Sequence, residues 1–509
     1  MGKPFSKILI ANRGEIAVRI IRAARELGVS TVAIYSTADK DSLHVRLADE
    51  AYEIGPPEPL QSYLDMEKII DIALKSGAEA IHPGYGFLAE NPTFAELVEK
   101  HGLAFIGPPS KALKLAGDKV EAKRIARKAD VPVVPGSVEP VTSVKDGMRI
   151  AEKIGYPILL KPAGGGGGIG IKIVRSPEKF TQAFEISQRE AVAAFGDPRI
   201  YIEKYLENVR HIEVQILADM YGNIIYLGER ECSIQRRYQK LIEEAPSTVI
   251  TEELRREMGE AAIRVASASG YYNAGTIEFL FKDGKFYFME VNARLQVEHG
   301  ITELITGIDL VKQQLFIASG ERLELEQKDV KIRGWAMEAR INAEDPANNF
   351  APSPGRILKY REPGGPGVRV DSGVYEGFEV SRYYDPLIAK VMTWGIDRKE
   401  ALTRMRRALS EYVIIGDGIR TNIPFHQFVF NDEEFIRGDV DTNYVNRKVD
   451  EIVKFVKDIE LKQAAIATYV LTRKPIALKT TRLPVSEVMY ISWWKYSGLA
   501  SLVKPWYKR

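Results

Sequence analysis

Cysteine is nearly absent from this sequence, since Cys232 is the single one in 509 residues. One thiol cannot form an internal disulfide or supply a pair of metal-binding thiolates, and this scarcity fits a reducing compartment. Long apolar runs and a cleavable signal are missing as well, which argues against a membrane-spanning or secreted chain. We therefore expect a cytoplasmic protein with no membrane partner.

An excess of charge of either sign is also missing. The 71 lysine and arginine residues nearly balance the 69 aspartate and glutamate residues, which leaves a formal net charge of +2. This balance argues against a nucleic-acid partner, and a hydrophobic content of 45% argues against disorder. A folded chain of this length exceeds one ordinary core, so we expect roughly two to four domains.

The N-terminal part of the chain alternates predicted strands and helices. Strands are predicted at Lys7 to Ala11, Thr31 to Tyr35 and Ala80 to His82, and a helix at Glu15 to Leu27. This alternation predicts a parallel sheet covered by helices. The turn Asn12 to Glu15 has one glycine where a dinucleotide fingerprint needs three, so NAD binding is disfavoured.

A second loop, His82 to Leu88, places two glycines around Tyr85 at the end of a predicted strand. Ligands of α/β sheets bind at this kind of strand end. Tyr85 is therefore a candidate ligand contact. A purely structural turn is the alternative interpretation.

Glycine is concentrated in one run, Gly164 to Gly168, which follows Lys161. Five consecutive glycines have a large ordering cost, so a packing role alone does not explain them. Backbone amides without side chains can approach phosphate oxygens closely, and a nearby lysine can neutralise them. The run predicts a lid over nucleotide phosphates. It is not a Walker loop, because no Gly-Lys-Ser/Thr closes it. The proline-rich stretch Pro132 to Pro140 predicts a hinge before this lid.

The segment Phe286 to Gly300 predicts a metal site. An apolar run alternates into Glu290 and Asn292, and the period of a strand places both oxygen-bearing side chains on one face, where they suit magnesium. Three more polar side chains continue the same spacing: Arg294, Gln296 and Glu298. A cation site beside an anion site and a possible base is the layout of a phosphoryl-transfer centre. If the stretch were helical, Arg294 and Glu298 would form an ordinary ion pair instead.

Other polar residues in predicted strands have both functional and structural interpretations. Glu278 has apolar neighbours, so its carboxylate needs a partner that a metal would supply. Glu203 and Lys204 end a predicted strand where adenine could be held, although a solvated ion pair explains them equally. His211 could be a core histidine, and Cys232 an inert buried thiol.

Together these motifs resemble the biotin carboxylases of the ATP-grasp superfamily. The resemblance extends from about Lys7 to Val445 and rests on the glycine run and on six other segments: Lys7 to Ala23, His82 to Leu88, Gly117 to Lys119, Glu229 to Arg237, Glu290 to His299 and Arg340 to Pro346. It implies an N-terminal parallel α/β domain (1–118), an ATP-grasp region (119–334) with its lid at about 133–204, and a C-terminal mixed α+β domain (335–446). Residues 447–509 would be a helical and aromatic extension.

The same resemblance implies the roles of individual residues. The implied ATP contacts are Lys119, Lys161, Gly167, Gly168, Glu203, Lys204, Leu206, His211 and Gln235. The implied metal ligands are Glu278, Glu290 and Asn292. Bicarbonate would be held by Lys240, Arg294, Gln296 and Val297. Glu298 would be its general base and Arg340 would face biotin. Tyr238 stands where many relatives have histidine, which puts a nucleotide contact there in doubt.

The implied activity is ATP-dependent carboxylation of biotin by bicarbonate through carboxyphosphate, with Mg²⁺ or Mn²⁺. Fused relatives attach biotin to a lysine between methionines. The nearest string here, Glu487 to Ile491, has a tyrosine instead. Biotin is therefore expected on a separate carrier protein, with the carboxyltransferase a separate chain and this chain a homodimer. The final acceptor, whether acetyl-CoA, propionyl-CoA or pyruvate, stays open.

Two other functions are disfavoured by particular residues. A different ATP-grasp ligase is disfavoured by the segment Glu290 to His299 together with Arg340. A noncatalytic nucleotide-binding protein is disfavoured because Glu298 and the metal ligands are retained. Beyond the resemblance, Asp450 to Leu471 predicts an amphipathic helix. The aromatic residues of the last segment could anchor a partner or pack on the chain itself: Trp493, Trp494 and Trp506.

Overall fold

The computed structural model describes residues 2–163 and 170–472. Its α-helices are α1 (Gly14–Glu26), α2 (Leu43–Leu47), α3 (Met66–Ser76), α4 (Pro92–Lys100), α5 (Ser110–Gly117), α6 (Lys119–Lys128), α7 (Val144–Ile154), α8 (Phe180–Phe195), α9 (Glu252–Ser269), α10 (His299–Thr306), α11 (Leu310–Ala318), α12 (Arg398–Glu411), α13 (Ile423–Val429), α14 (Glu433–Arg437) and α15 (Tyr444–Thr472). The predicted contacts Gly167 and Gly168, the Glu487 to Ile491 string and the three C-terminal tryptophans lie outside the described residues.

The strands form five sheets. They are β1 (Lys7–Ile10), β2 (Ser30–Ser36), β3 (Glu50–Gly55), β4 (Ala80–His82), β5 (Ala104–Phe105), β6 (Ile158–Pro162), β7 (Lys172–Val174), β8 (Ile200–Lys204), β9 (Arg210–Ala218), β10 (Ile224–Arg236), β11 (Gln239–Ala245), β12 (Asn273–Lys282), β13 (Lys285–Asn292), β14 (Trp335–Asn342), β15 (Glu344–Asp345), β16 (Ala351–Pro352), β17 (Gly355–Arg361), β18 (Val368–Ser372), β19 (Glu379–Val380), β20 (Leu387–Gly395) and β21 (Val413–Asp417).

The N-terminal sheet is parallel throughout, in the order β3-β2-β1-β4-β5. Ile8, Leu9 and Ile10 of the central strand are fully buried. Continuous apolar strands of this kind are typical of parallel sheets whose two faces are both covered. The predicted strand–helix alternation is therefore present, with strand ends that differ from the prediction by one residue at most.

The largest sheet is antiparallel and has eight strands, in the order β13-β12-β9-β10-β11-β14-β20-β18. Its middle lies between β11 and β14, where Ala245 pairs with Ala336. The sequence limit proposed at residue 334 thus falls just before a strand that extends the sheet of the preceding region. This sheet carries most of the site.

A small antiparallel sheet, β7-β6-β8, packs with α7 and α8 in the predicted lid region. Its apolar core contains Ile158, Phe180 and Ile202 and draws only on residues of this segment. Gly147 of α7 lies so close to Phe180 that an added Cβ would be 2.9 Å from the ring. The lid region therefore has a core of its own.

The segment that predicts the metal site leaves the sheet after Asn292, where β13 ends. Residues 293–298 form a loop, and α10 begins at His299. Strand alternation thus does not continue to Glu298, because the chain has no partner strand to pair with beyond Asn292. The helical alternative for Arg294 and Glu298 is absent as well.

The predicted helix near the C-terminus is part of α15, which begins earlier than expected, at Tyr444. The first compact unit of the chain ends at Lys457, and Ile452 and Val456 are buried within it. The second unit begins at Asp458, and its described residues are the helical ones up to Thr472. Within the described part of the chain, we find no helix with the length and apolarity needed to cross a membrane.

Candidate active site

Two carboxylates of the predicted metal site lie on neighbouring strands. Glu278 of β12 is directly opposite Glu290 of β13, and Asn292 follows on the same face. Like charges in this position repel each other unless a cation lies between or beside them. Lys240 approaches Glu278 Oε1 to 2.8 Å, and Lys119 approaches Glu290 Oε2 to 3.1 Å. Two carboxylates and an amide oxygen are hard ligands that fit Mg²⁺.

Lys240 connects the metal side of the site to the candidate base. Its Nζ atom donates to Glu278 Oε1 at 2.8 Å, to Glu298 Oε1 at 2.7 Å and also to Glu213. Burial acts to lower the pKa of Lys240, but the three carboxylates outweigh it and raise that pKa well above its usual value. Lys240 is therefore a permanent positive charge in the nucleotide-free protein.

Glu298 is completely buried just before α10. Its second oxygen, Oε2, accepts a hydrogen bond from Arg340 Nη2 at 2.8 Å. Burial raises the pKa of this carboxyl, but the charges of Lys240, Arg340 and Arg230 outweigh burial and hold the pKa well below its usual range. Glu298 is thus ionised at neutral pH, the form that a general base requires.

Arg294 folds the loop back toward the metal ligands. Its guanidinium donates to Glu90 Oε2 at 2.9 Å, to Gln296 Oε1 at 3.0 Å and to Asn292 Oδ1 at 3.2 Å. Gln296 in turn donates to Glu278 Oε1 at 3.3 Å. The loop therefore brings the predicted bicarbonate contacts to the predicted metal ligands. The sequence reasoning missed Glu90, although its place two residues after the His82 to Leu88 motif was a usable signal.

Arg340 on β14 lies between two buried acids. It donates to Glu243 Oε1 at 2.6 Å as well as to Glu298. Burial raises the pKa of Glu243 to about 7 against the opposing charge of Arg340. The sequence reasoning also missed Glu243. An acid inside an otherwise apolar strand, the same signal that singled out Glu278, could have found it.

The predicted lid lysine is paired with the predicted adenine-side acid. Lys161 of β6 approaches Glu203 Oε2 to 2.7 Å, and Lys123 of α6 also contacts Glu203. Burial raises the pKa of Glu203, but the two lysines outweigh it and lower that pKa to about 2. Lys204 donates instead to the carbonyls of Gly155 and Tyr156, at 3.0 and 2.9 Å. Lys123 was another contact that the sequence reasoning missed.

The remaining candidates take different positions. His211 is buried, with Nε2 3.3 Å from Glu278 Oε2, so its ring lies against a predicted metal ligand. Gln235 pairs with Lys240 across β10 and β11, and Tyr238 lies in the turn between them with 76% of its surface exposed. One open cleft is lined by every described candidate, including Leu206 and Val297, except Tyr85 and Glu298. The Tyr85 hydroxyl donates to Glu15 instead.

Proteins of known function are similar to this chain over most of its length. The chain is 54% identical over 479 residues to a pyruvate carboxylase subunit of Methanothermobacter thermautotrophicus, which covers 93% of this chain and 97% of the relative. It is 53% identical over 441 residues to biotin carboxylase 1 of Bacillus subtilis, with 86% and 98% covered. The chain belongs to the biotin carboxylase family.

Family models match in three consecutive parts. The biotin carboxylase N-terminal domain matches residues 4–113, the carbamoyl-phosphate synthase L chain ATP-binding domain residues 118–326, and the biotin carboxylase C-terminal domain residues 338–447. The biotin carboxylase domain dimer of the Hydrogenobacter thermophilus 2-oxoglutarate carboxylase, solved with MgADP, ADP and bicarbonate, has 50% identity and a TM-score of 0.83. That match covers 88% of this chain and 98% of the other. The predicted family, fold class and ligase activity, ATP-dependent biotin carboxylation, are confirmed.

Proposed function

We propose that this chain acts as the biotin carboxylase subunit of a multisubunit carboxylase and carboxylates biotin on a separate carrier protein. The observation that carries the proposal is the chain of contacts from Glu278 through Lys240 and Glu298 to Arg340. It joins a candidate metal ligand, a candidate base and a candidate biotin contact in one charge network. The pyruvate carboxylase relative is itself named as a subunit, which supports such a role here.

The nucleotide would enter by exchanging ion-pair partners. Lys119 and Lys161 are paired with Glu290 and Glu203 in the nucleotide-free protein. ATP phosphates offer these lysines new anions, with the amides of Gly167 and Gly168 as further donors. The adenine and ribose contacts would come from a second group of residues: Glu203, Lys204, Leu206, His211, Gln235 and Tyr238.

The metal ligands would be Glu278, Glu290 and Asn292, whose opposed carboxylates fit a divalent cation. When bound, Mg²⁺ or Mn²⁺ supplies charge neutralisation for the transferring phosphoryl group. The carboxylates lose their present lysine partners on metal binding, so Lys119 and Lys240 are released toward the phosphates and bicarbonate. The cation site and the two lysines therefore act in sequence.

Bicarbonate would be held by Arg294, Gln296, Lys240 and the backbone of Val297, beside Glu298. The Glu298 carboxylate would take the bicarbonate proton, and the resulting oxygen would attack the γ-phosphorus of ATP to give carboxyphosphate and ADP. When Lys240 turns to bicarbonate, Glu298 loses one of the cations that depress its pKa. It then becomes a stronger base at the moment that a proton is to be moved.

Biotin would lie on the other side of the base. Carboxyphosphate would decompose to CO₂ and phosphate under the closed lid, the phosphate would take the ureido proton, and Arg340 would stabilise the enolate of biotin. Exclusion of water matters because the intermediate hydrolyses readily. Tyr85 would line the same end of the cleft. We further propose a homodimer, in line with the dimer described for the Hydrogenobacter structure.

Glu298→Gln tests the proposed base. We expect the wild-type chain to hydrolyse ATP with bicarbonate and to be stimulated by free biotin, and the variant to lose on the order of 10²-fold or more of that rate. Glu229→Gln is the matched control, because Glu229 is equally buried in an ion pair with Arg255 but lies outside the site. An unaffected Glu298 variant, or a wild type that ignores biotin, contradicts the mechanism. Covalent biotin on this chain in mass spectrometry contradicts the separate carrier.

A further inference from the structure

One buried lysine lies behind the bicarbonate loop and is absent from the mechanism above. Lys390 of β20 is completely buried. Its Nζ atom donates to the carbonyl oxygen of Val297 at 2.7 Å, lies 3.2 Å from Glu15 Oε1 and is 3.9 Å from Asp371 Oδ2. The shortest of these contacts goes to a neutral carbonyl and not to a carboxylate. A lysine that served only as a counter-charge would be placed closer to the acids.

The fold brings these groups together through two close approaches. Asp371 of β18 pairs with Lys390 of β20, and the chain after β18 passes over the start of α1. An added Cβ on Gly373 would lie 2.6 Å from the backbone nitrogen of Glu15. An added Cβ on Gly300 would lie 2.3 Å from the sulfur of Met392 on β20. The first turns of α1 and α10 are thus both held against the strands that carry Lys390.

The same contacts absorb two sequence motifs that had no assigned role. The Asn12 to Glu15 turn ends in Glu15, which also accepts a hydrogen bond from the Tyr85 hydroxyl. Asn12 Nδ2 donates to the carbonyls of Pro83 and Tyr85, both at 2.7 Å. The two loops of the N-terminal sheet are therefore tied to each other and, through Glu15, to Lys390.

We propose that Lys390, held by Glu15, is a positioning residue for the bicarbonate loop, residues 293–298. The carbonyl of Val297 and the N–H of Glu298 belong to one planar peptide unit. The bond from Lys390 therefore fixes the direction in which the Glu298 side chain leaves the backbone, and with it the placement of the base against bicarbonate. Misplacement of a reacting group by about 1 Å can cost on the order of 10²-fold in rate. The inference rests on the proposed function and deepens it.

Lys390→Met tests this role, because it keeps the side-chain volume and removes the donor. In ATP hydrolysis by the full chain with free biotin, we expect the apparent KM for bicarbonate to rise at least tenfold while the KM for ATP changes less than twofold. Arg398→Met is the matched control. Arg398 likewise joins a carboxylate, that of Glu244, to a carbonyl, that of Ile436, and contacts no residue of the loop. Its KM values should stay within twofold of wild type.

A second readout does not depend on turnover. Hydrogen–deuterium exchange of a peptide covering residues 293–299 should be faster in Lys390→Met than in wild type and unchanged in Arg398→Met. If Lys390→Met fails to unfold cooperatively, Glu15→Gln decides, because it keeps the ammonium and removes one anion. It should raise the bicarbonate KM about threefold, by analogy with the loss of one charged hydrogen bond.

Two results overturn the inference: unchanged bicarbonate KM and exchange in the variants, or an equal rise of both KM values, which indicates a general structural role. Failure of the proposed function has a different signature, since the wild type itself would then show no bicarbonate-dependent hydrolysis. The exchange experiment would still report on the contact from Lys390 to Val297 in that case.

Discussion

Each candidate cation of the site is already paired with an acid that has a proposed role of its own. Lys119 contacts Glu290, Lys161 contacts Glu203, and Lys240 contacts both Glu278 and Glu298. Substrate binding then exchanges one compensated charge for another and leaves no buried charge alone, which would be costly. The unliganded site is stable for this reason.

Glu203 gives a pH-dependent prediction. Its folded-state pKa, about 2, lies below its ordinary value of 4.5, so its ionised form contributes stability above pH 4.5 that is lost as the pH falls toward 2. The difference in unfolding free energy between wild type and Glu203→Gln should therefore shrink by about 0.8 kcal/mol from pH 7 to pH 4. Urea unfolding without nucleotide measures it.

The control for this series is Glu190→Gln in the same region. Glu190 pairs with Lys172 on the surface, so its removal should cost less than about 1 kcal/mol at every pH. A Glu203 difference that stays constant from pH 7 to pH 4 would show that the lysines do not hold this carboxylate ionised.

Individual residues of the site were predictable where their type conflicts with their surroundings. Glu278 and Glu290 could be read from apolar strands because an unpaired acid there has no other explanation. Glu90 and Lys123 reach the site from other elements, and only the tertiary structure brings them there. Tyr85 was found from its loop, yet it faces Glu15, which no local pattern could indicate.

At the scale of elements, the strand–helix pattern was read well and the loop after β13 was not. Alternation of polar residues predicted one face from Glu290 to Glu298, but the strand ends at Asn292. The same five side chains still converge because Arg294 and Gln296 turn back to Asn292 and Glu278 through hydrogen bonds. Spacing alone cannot distinguish a continuing strand from a loop that is held by its own side chains.

Gly373→Ala tests the close approach between the chain after β18 and α1. The added Cβ would meet backbone atoms of Glu15 and Gly14 at 2.6 and 2.7 Å, and backbone cannot move aside as a flexible side chain can. We expect a loss of about 1 to 3 kcal/mol in unfolding free energy. Gly364→Ala is the control, because its added Cβ has no atom within 4 Å. Equal stability of the two variants in urea unfolding would contradict the tight packing of these elements.

At the scale of the whole molecule, the order of structural regions was predictable but their joint packing was not. One apolar core combines Leu9 and Phe94 of the N-terminal sheet with Ile212 and Phe288 of the large sheet. A second core combines Ile242 of β11 with residues beyond β14. Apolar periodicity reports that a face is buried, and not which partner covers it. The limits proposed from the sequence therefore do not separate independent cores.

The lid region differs from the rest because its core draws on residues between Ala151 and Ile202 alone. It joins the large sheet where the N–H of Phe288 donates to Pro132 O at 2.6 Å. A region with a small separate core opens at lower free energy than one within a shared core. We expect the amides of β6 and β8 to exchange with deuterium faster than those of β9 in the nucleotide-free protein.

Nucleotide should reverse this difference. Lys161 and Glu203, on β6 and β8, are proposed ATP contacts, and a ligand that binds both the lid and the large sheet stabilises the state in which they are together. MgADP should therefore slow exchange in β6 and β8 several-fold and leave β9 nearly unchanged, as measured by mass spectrometry. Lys161→Met should weaken this protection, whereas Lys172→Met, which removes a surface ion pair of the same region, should not. Exchange in β6 and β8 as slow as in β9 before nucleotide is added would contradict a separately opening lid.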